Sequence, residues 1–182
     1  MQDHRQQRHP GQAMPIVALA LPFLVVFVLM VVEVSERYLE VAMLQDALQQ
    51  ATRSAVQELD YAAFARNEMG LRAFAECQRV TTAGAANSPC ADVIAVAATV
   101  LRTNLQGVRG LSGDAEAIEP LVRSTAWTVL PNGGSCTVHG TLVQSPTAPM
   151  ICAEMTPVMT GIVGWGEFRP RIIAADVLDL GL

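Results

Sequence analysis

The sequence predicts an α+β protein. A long N-terminal transmembrane helix continues into an amphipathic helix. A small disulfide-stapled domain follows, with a second helix and an antiparallel sheet of about four strands. Three observations carry this reading. Residues 12–32 are 21 consecutive uncharged residues. An apolar rhythm of three and four then persists beneath the charges that follow. After residue 124 the rhythm switches to the alternation of strands, punctuated by Asn-Gly-Gly and other turn signals.

The chain opens with a short basic leader, residues 1–11, carrying Arg5 and Arg8 against Asp3. The transmembrane segment is placed at 12–34. Twenty-one residues at about 1.5 Å each make a helix of about 31 Å, which matches a bilayer core of about 30 Å. A cleavable secretory signal fits less well, because the run is long and no small-x-small site precedes Glu33. Arginine is denser before the span than after it, where Arg37 stands among Glu33, Glu36, Glu40 and Asp46. The arginine bias puts the N-terminus in the cytoplasm and the long C-terminal part outside. Pro15 falls in the first turn, where a missing amide costs little. Pro22 lies deeper and is expected to kink the helix by freeing a carbonyl about four residues earlier.

Residues 35–66 are expected to extend the same helix. Tyr38, Val41, Leu44, Leu48, Ala51, Ala55 and Leu59 recur on one stripe. Arg37, Glu40, Asp46, Gln49, Gln50, Arg53 and Gln57 occupy the opposite, wetted face. No proline occurs between residues 23 and 88, and the first glycine after the span is Gly70. Such a stripe serves either the protein's own outer domain or an assembly partner. In the assembly reading, Tyr38, Val41, Leu44, Leu48 and Ala51 form the contact.

Residues 67–182 are assigned to the outer domain. Its four cysteines, Cys77, Cys90, Cys136 and Cys152, form an even set in an exported segment, which points to disulfides. Three pairings are open. Pairing of neighbours is favoured, because each bridge would staple a local loop and contribute about 3 kcal/mol. A zinc site on Cys136 and His139 lacks a second ligand pair at metal spacing. The stretch from Cys77 to Cys90 is expected to be a turn-rich connection. After it, "ADVIAVAATVLRTNLQGV" reads as a helix burying Val93, Val96, Ala97, Val100 and Leu101, closed by Gly107 and Gly110. Residues 111–120 read as an acidic loop in which Asp114, Glu116 and Glu119 match no calcium-loop spacing. "STAWTVL" and "SCTVHGTLV" read as strands joined by a turn at Asn132-Gly133-Gly134. "PMICAEMTPVM" and "RPRIIAADVLD" supply two more, connected through Gly161, Gly164 and Gly166.

Charge and chemistry narrow the function. The net charge is −5, and all twelve basic residues are arginine. That balance argues against a nucleic-acid partner, which would need basic density on one face. No phosphate loop, nucleophile elbow or paired-histidine helix occurs. His139 stands alone in a predicted strand. The sequence therefore predicts neither an enzyme nor a cofactor or metal site.

The order of parts resembles the type IV pilin plan. More narrowly, residues 11–59 look like the N-terminal segment of the TadE/TadG-like family, the minor pseudopilins and assembly proteins of tight-adherence (Tad, or Flp) pili. Gly11-Gln12, "ALALP" at 18–22, Glu33, Tyr38 and "LQDALQQATRSA" at 44–55 carry the likeness. It implies a bacterial inner-membrane protein with its C-terminal domain in the periplasm or beyond. It also implies partners in membrane lipid, a major pilin, other pilin-like subunits and the pilus assembly platform with its ATPase, and homo- or hetero-oligomers. Gly11-Gln12 would be the processing site. Ile16 departs from the glutamate that processed pilins carry at the fifth position after the cleaved glycine, and an unprocessed chain would remain a bitopic anchor. The rival class is a single-pass envelope protein with a small ligand- or protein-binding outer domain. A deep pocket lined by the sheet would favour the rival, and an exposed apolar stripe on the helix would favour assembly.

Overall fold

A computed structural model describes residues 13–66, 70–73, 75–108, 111, 115–160 and 166–178. Helix α1 spans Ala13–Val56 without a break, 44 residues or roughly 66 Å at about 1.5 Å per residue. It passes through Pro22 as a continuous helix. It ends ten residues short of the expected boundary at 66 and three short of Leu59. Leu59 instead forms an isolated antiparallel bridge with Leu71. The carboxylate of Asp60 accepts from the amides of Ala62 and Ala63 and caps a separate one-turn helix, α2 (Tyr61–Phe64).

The rest of the chain builds a sheet and lays it on the outer half of α1. Strand β1 (Cys77–Thr81) leads into a 3-10 helix (Thr82–Asn87) and then into α3 (Ala91–Leu105) and α4 (Ala115–Ser124). The strands that follow are β2 (Ala126–Leu130), β3 (Gly134–Val138), β4 (Thr141–Ser145), β5 (Met150–Met155), β6 (Met159–Thr160), β7 (Glu167–Phe168) and β8 (Ile172–Val177). The main sheet is four-stranded and antiparallel, in the order β1-β2-β5-β8. The α+β class and the four-strand sheet therefore stand, but the membership of the sheet differs from expectation.

Two local signals explain the difference. The Cys77–Cys90 stretch begins as an edge strand before it turns, so the fourth strand of the sheet comes from a segment expected to be loop. "SCTVHGTLV" is not one strand but two. His139 and Gly140 both have positive φ (48° and 81°), which makes a two-residue hairpin turn of the primed type. The resulting β3–β4 ribbon forms its own two-stranded sheet. The turn at Asn132-Gly133 delivers the chain from the main sheet to this ribbon. A Cβ on Gly133 (φ +83°) would meet the Ser145 carbonyl oxygen at 2.5 Å, so a side chain is excluded there. The acidic stretch after 115 is also helical rather than loop. Glu119 on α4 takes a bidentate pair from Arg102 on α3, at 2.8 and 3.2 Å. Asp114, Gly110 and the glycines Gly161 and Gly164 lie outside the described residues.

The alternation of β2, β5 and β8 sets the two faces of the sheet. Trp127, Val129, Ile151, Ala153, Ile172 and Ala174 point inward and are buried against Leu44, Leu48, Ala51 and Ala55 of α1 and Val93, Ile94, Ala97 and Leu101 of α3. On α3, Val96 and Val100 are only half-buried, and Ile94, Ala98 and Leu105 take the deeper places. Trp127 donates its indole N–H to Thr82 Oγ1 at 2.8 Å, fixing the 3-10 helix on the edge of the sheet. On the outward face, Leu130, Met150 and Cys152 form a second, smaller cluster under the β3–β4 ribbon with Cys136, Val143, Ala175 and Val177.

Both disulfides join neighbours, Cys77–Cys90 and Cys136–Cys152. The first ties β1 to the start of α3. The second pins the ribbon across the outer face of β5.

Candidate functional site

Along α1 the surroundings change twice. From Ile16 to Val32 every residue is exposed, including Phe23, Leu24, Phe27 and Leu29. This stretch has a mean hydropathy of 2.8 over its most apolar window, of which 6% is buried. A water-soluble protein would not leave so large an apolar surface bare. The length and composition are those of a membrane anchor or signal segment, and the two disulfides fit an oxidising, extracytoplasmic location for the domain. Gly11 and Gln12, the expected processing site, lie outside the described residues.

From Leu44 outward the helix belongs to its own domain. Leu44, Leu48 and Ala51 are each 0% exposed and sit in the main core with Ala47, Ala55 and Val56. The expected assembly surface is corrected accordingly. Those three side chains already pack against α3 and the sheet, so no neighbouring molecule can reach them in this fold. Val41 is half-buried at the rim of the same core. Of the five residues, only Tyr38 is freely exposed, at 76%. The apolar periodicity was a true signal that the stripe is covered, and the cover is supplied from within the chain.

Between the bare and buried halves lies a junction of about three turns. Glu33 is 2% exposed and accepts from Arg37 one turn on, at 2.9 and 3.0 Å. The Arg37 guanidinium also stands 4.9 Å from the centre of the Phe168 ring on β7. Glu40, expected on the wetted face, is instead 6% exposed. Val34, Arg37, Tyr38, Val41 and Phe168 line an apolar notch of about 270 Å³ at this level. Burial of Glu33 and Glu40 had no sequence signal, because carboxylates at these spacings read as a solvated face.

A second concavity lies on the outward face of the sheet, where the β3–β4 ribbon leaves it uncovered. This open groove of about 550 Å³ is lined by Gln78, Arg79, Thr128, Thr137, Glu154 and Arg171, among others. Arg171 Nε donates to Glu154 Oε1 at 2.7 Å, and Arg79 stands 3.5 Å from Glu154 Oε2. Arg79 adopts a positive φ of 49° where the β1–β2 register shifts, so the bulge carries its side chain over the groove. The hydrogen bond from Arg171 holds the Glu154 carboxyl below the usual range, against the effect of burial; the charges of Arg171 and Arg79 act in the same direction. On the opposite face, burial pushes the Asp176 carboxyl up, opposed by Arg53 of α1 at 3.8 Å.

His139 sits exposed at the tip of the β3–β4 ribbon, not within a strand. Among the described residues, no three His, Cys, Asp or Glu side chains are placed to share a metal ion, and no cysteine is free. Cys136, weighed with His139 as a zinc ligand, is committed to Cys152.

No protein-family model matches the chain, and neither does any curated protein or solved structure.

Proposed function

We propose that the protein is a membrane-anchored, pilin-like minor component of a tight-adherence pilus assembly or secretion system, with a structural rather than catalytic role. One observation supports this reading above the others. A single 44-residue helix is both the bare apolar rod and the spine of its own sheet domain. A simple tether needs only a span and a flexible linker. A helix whose inner half is apolar all round and whose outer half is locked into a compact domain fits subunits that trade lipid for neighbouring helices. The docking surface in this reading is the bare half, Ile16 to Val32, with Tyr38 at its outer limit. The four deeper residues Val41, Leu44, Leu48 and Ala51 serve the fold.

The test is site-directed crosslinking in the native host. Cysteines placed singly at Leu24 or Val28 should crosslink to a pilin-like subunit, and deletion of the gene should reduce surface pili. Mass spectrometry of the mature N-terminus would reveal whether Gln12 becomes the first residue. Unchanged pili in the deletion strain, together with no crosslink to any pilin-like protein, would remove the proposal.

The groove on the outward face supports a second reading, an envelope protein whose outer domain binds a ligand or protein beside Arg79, Glu154 and Arg171. Its shape is open rather than deep, and its two arginines are already directed at one carboxylate. Loss of a bound ligand or partner on Thr128→Trp, with normal protein levels, an intact anchor and pili unaffected by deletion of the gene, would favour it.

A further inference from the structure

We propose that the notch formed by Val34, Arg37, Tyr38, Val41 and Phe168 is a seat for the outer leaflet of the membrane, and that its occupant is the zwitterionic headgroup layer. The inference rests on the reading of residues 12–32 as a span and adds where the domain meets the bilayer.

Three features place the notch there. The first is height. Val34 lies about 3 Å beyond Val32 along the helix, Tyr38 about 9 Å and Val41 about 14 Å, at roughly 1.5 Å per residue. The interfacial layer outside the hydrocarbon is about 5–8 Å thick on each side, so Val34 lies within it, Tyr38 at its outer edge, and Val41 beyond it as the outer rim of the notch. Helical side chains lean toward the N-terminus, here toward the bilayer, so the Tyr38 ring reaches below its own Cα. The second is continuity. Val34 and Tyr38 extend the bare surface of the span without an intervening buried residue on their own face, and both remain exposed while the apolar stripe from Leu44 to Ala55 is covered. Phe168 brings the β6–β7 ribbon to the same level, against Arg37. Tyrosine, apolar in its ring and polar at its tip, suits this layer.

The third feature is charge, and it selects the lipid. Among the described residues, the charged side chain that lines the notch is that of Arg37. Arg37 is engaged by Glu33 at 2.9 Å, and Arg169 lies 3.8 Å from Glu167. Both cations are already paired, so anionic headgroups gain no attraction there and a zwitterionic surface is accepted. Apolar contact then holds the domain, and raising the salt should leave it seated.

The test uses the full chain in phosphatidylcholine nanodiscs. The four native cysteines are paired, so an introduced cysteine is the free thiol for a spin label. Labels go on Leu39 at the level of the notch, Leu24 in the span, and Leu142 on the distant ribbon, all exposed. Collisions with oxygen and with a water-soluble nickel chelate report depth. The label at 39 should fall between the other two, with chelate access several-fold below that at 142 and unchanged by salt. Adding Val34→Asp and Tyr38→Asp should raise chelate access at 39 toward the level at 142. A label at 39 as wet as that at 142 overturns the seat while leaving the span intact. Water access at 24 would instead overturn the span. Protection at 39 that grows with the number of protein copies per disc would assign the notch to a second subunit and overturn the lipid occupant.

Discussion

Replacing Leu48 by alanine separates the two roles once open for the α1 stripe. Leu48 is 0% exposed and stands between α1, α3 and the inward face of the sheet. The substitution removes three carbons. At about 0.8 kcal/mol per buried carbon the lost transfer energy is about 2.4 kcal/mol. A residual cavity of about 60 Å³ would add about 1.4 kcal/mol at 24 cal/mol per Å³. The expected loss is therefore about 4 kcal/mol, a large fraction of the roughly 5–15 kcal/mol that holds a domain together. In a urea titration of the detergent-solubilised protein, a slope of about 2 kcal/mol/M would move the midpoint down by about 2 M.

Trp127 is a suitable reporter, because it is fully buried at the centre of the same core. Its near-ultraviolet dichroism should vanish at the shifted midpoint. Tyr38→Ala, at an exposed position, should change stability by no more than about 0.5 kcal/mol, or about 0.25 M in that midpoint. A Leu48→Ala midpoint within error of the parent would refute the reasoning: the stripe would then be free of its own domain and available to a partner. By the same logic Leu44→Glu and Leu48→Glu should unfold the outer domain, so they cannot serve as clean assembly mutants.

Further outcomes follow from the staples and the ionised groups. Replacing Cys136 and Cys152 together by serine should cost about 3 kcal/mol and expose the ribbon to protease near His139–Gly140, read by melting temperature and limited digestion. An unchanged digestion pattern would mean the ribbon is held by its apolar cluster alone. Glu154 titrates below the ordinary glutamate value when folded. Its pairing therefore stabilises above about pH 4.3 and is lost as the pH falls through the folded value. Glu154→Gln should flatten that acid limb of a stability–pH curve. Asp176 has the opposite sign, because burial raises its folded value. Its contribution falls as the pH rises through that value, and Asp176→Asn should lessen the fall.

Much of this architecture was written in local patterns. The uncharged run from Gln12 to Val32 and the absence of proline or glycine from residue 23 through residue 56 specify one helix. The alternation in "AWTVL", "MICAEM" and "IIAADV" specifies three of the four strands of the main sheet. What local pattern could not specify is partnership. The stripe at Leu44, Leu48 and Ala51 says that something covers it, and its cover lies some 45 to 130 residues further along the chain. Strand β1 is only five residues long and is followed at once by "TAGAANSP", so turn chemistry masked it. His139-Gly140 did carry a hairpin signal, but it was hidden in a run of otherwise strand-like residues. The notch at Tyr38 depends on Phe168, which no spacing argument would place beside it.

Because α1 is unbroken, the rotation of the anchor fixes the direction in which the domain faces, and this can be tested. A single alanine inserted between Val32 and Glu33 would turn the domain about 100° against the span and lift it about 1.5 Å. Seven inserted residues, chosen as helix formers, would lift it about 10 Å but return the facing to within about 20°. Neither insertion touches the core or the Glu33–Arg37 pair, so the domain should keep its urea midpoint in both. An anchor that only holds the domain at the membrane is indifferent to facing, and both variants should work. A subunit that presents its bare helix and its domain to fixed neighbours should lose pilus assembly with one residue and regain it, at least in part, with seven. Equal activity in both would leave the protein anchored but would remove the argument that its single rigid helix exists to orient it in an assembly.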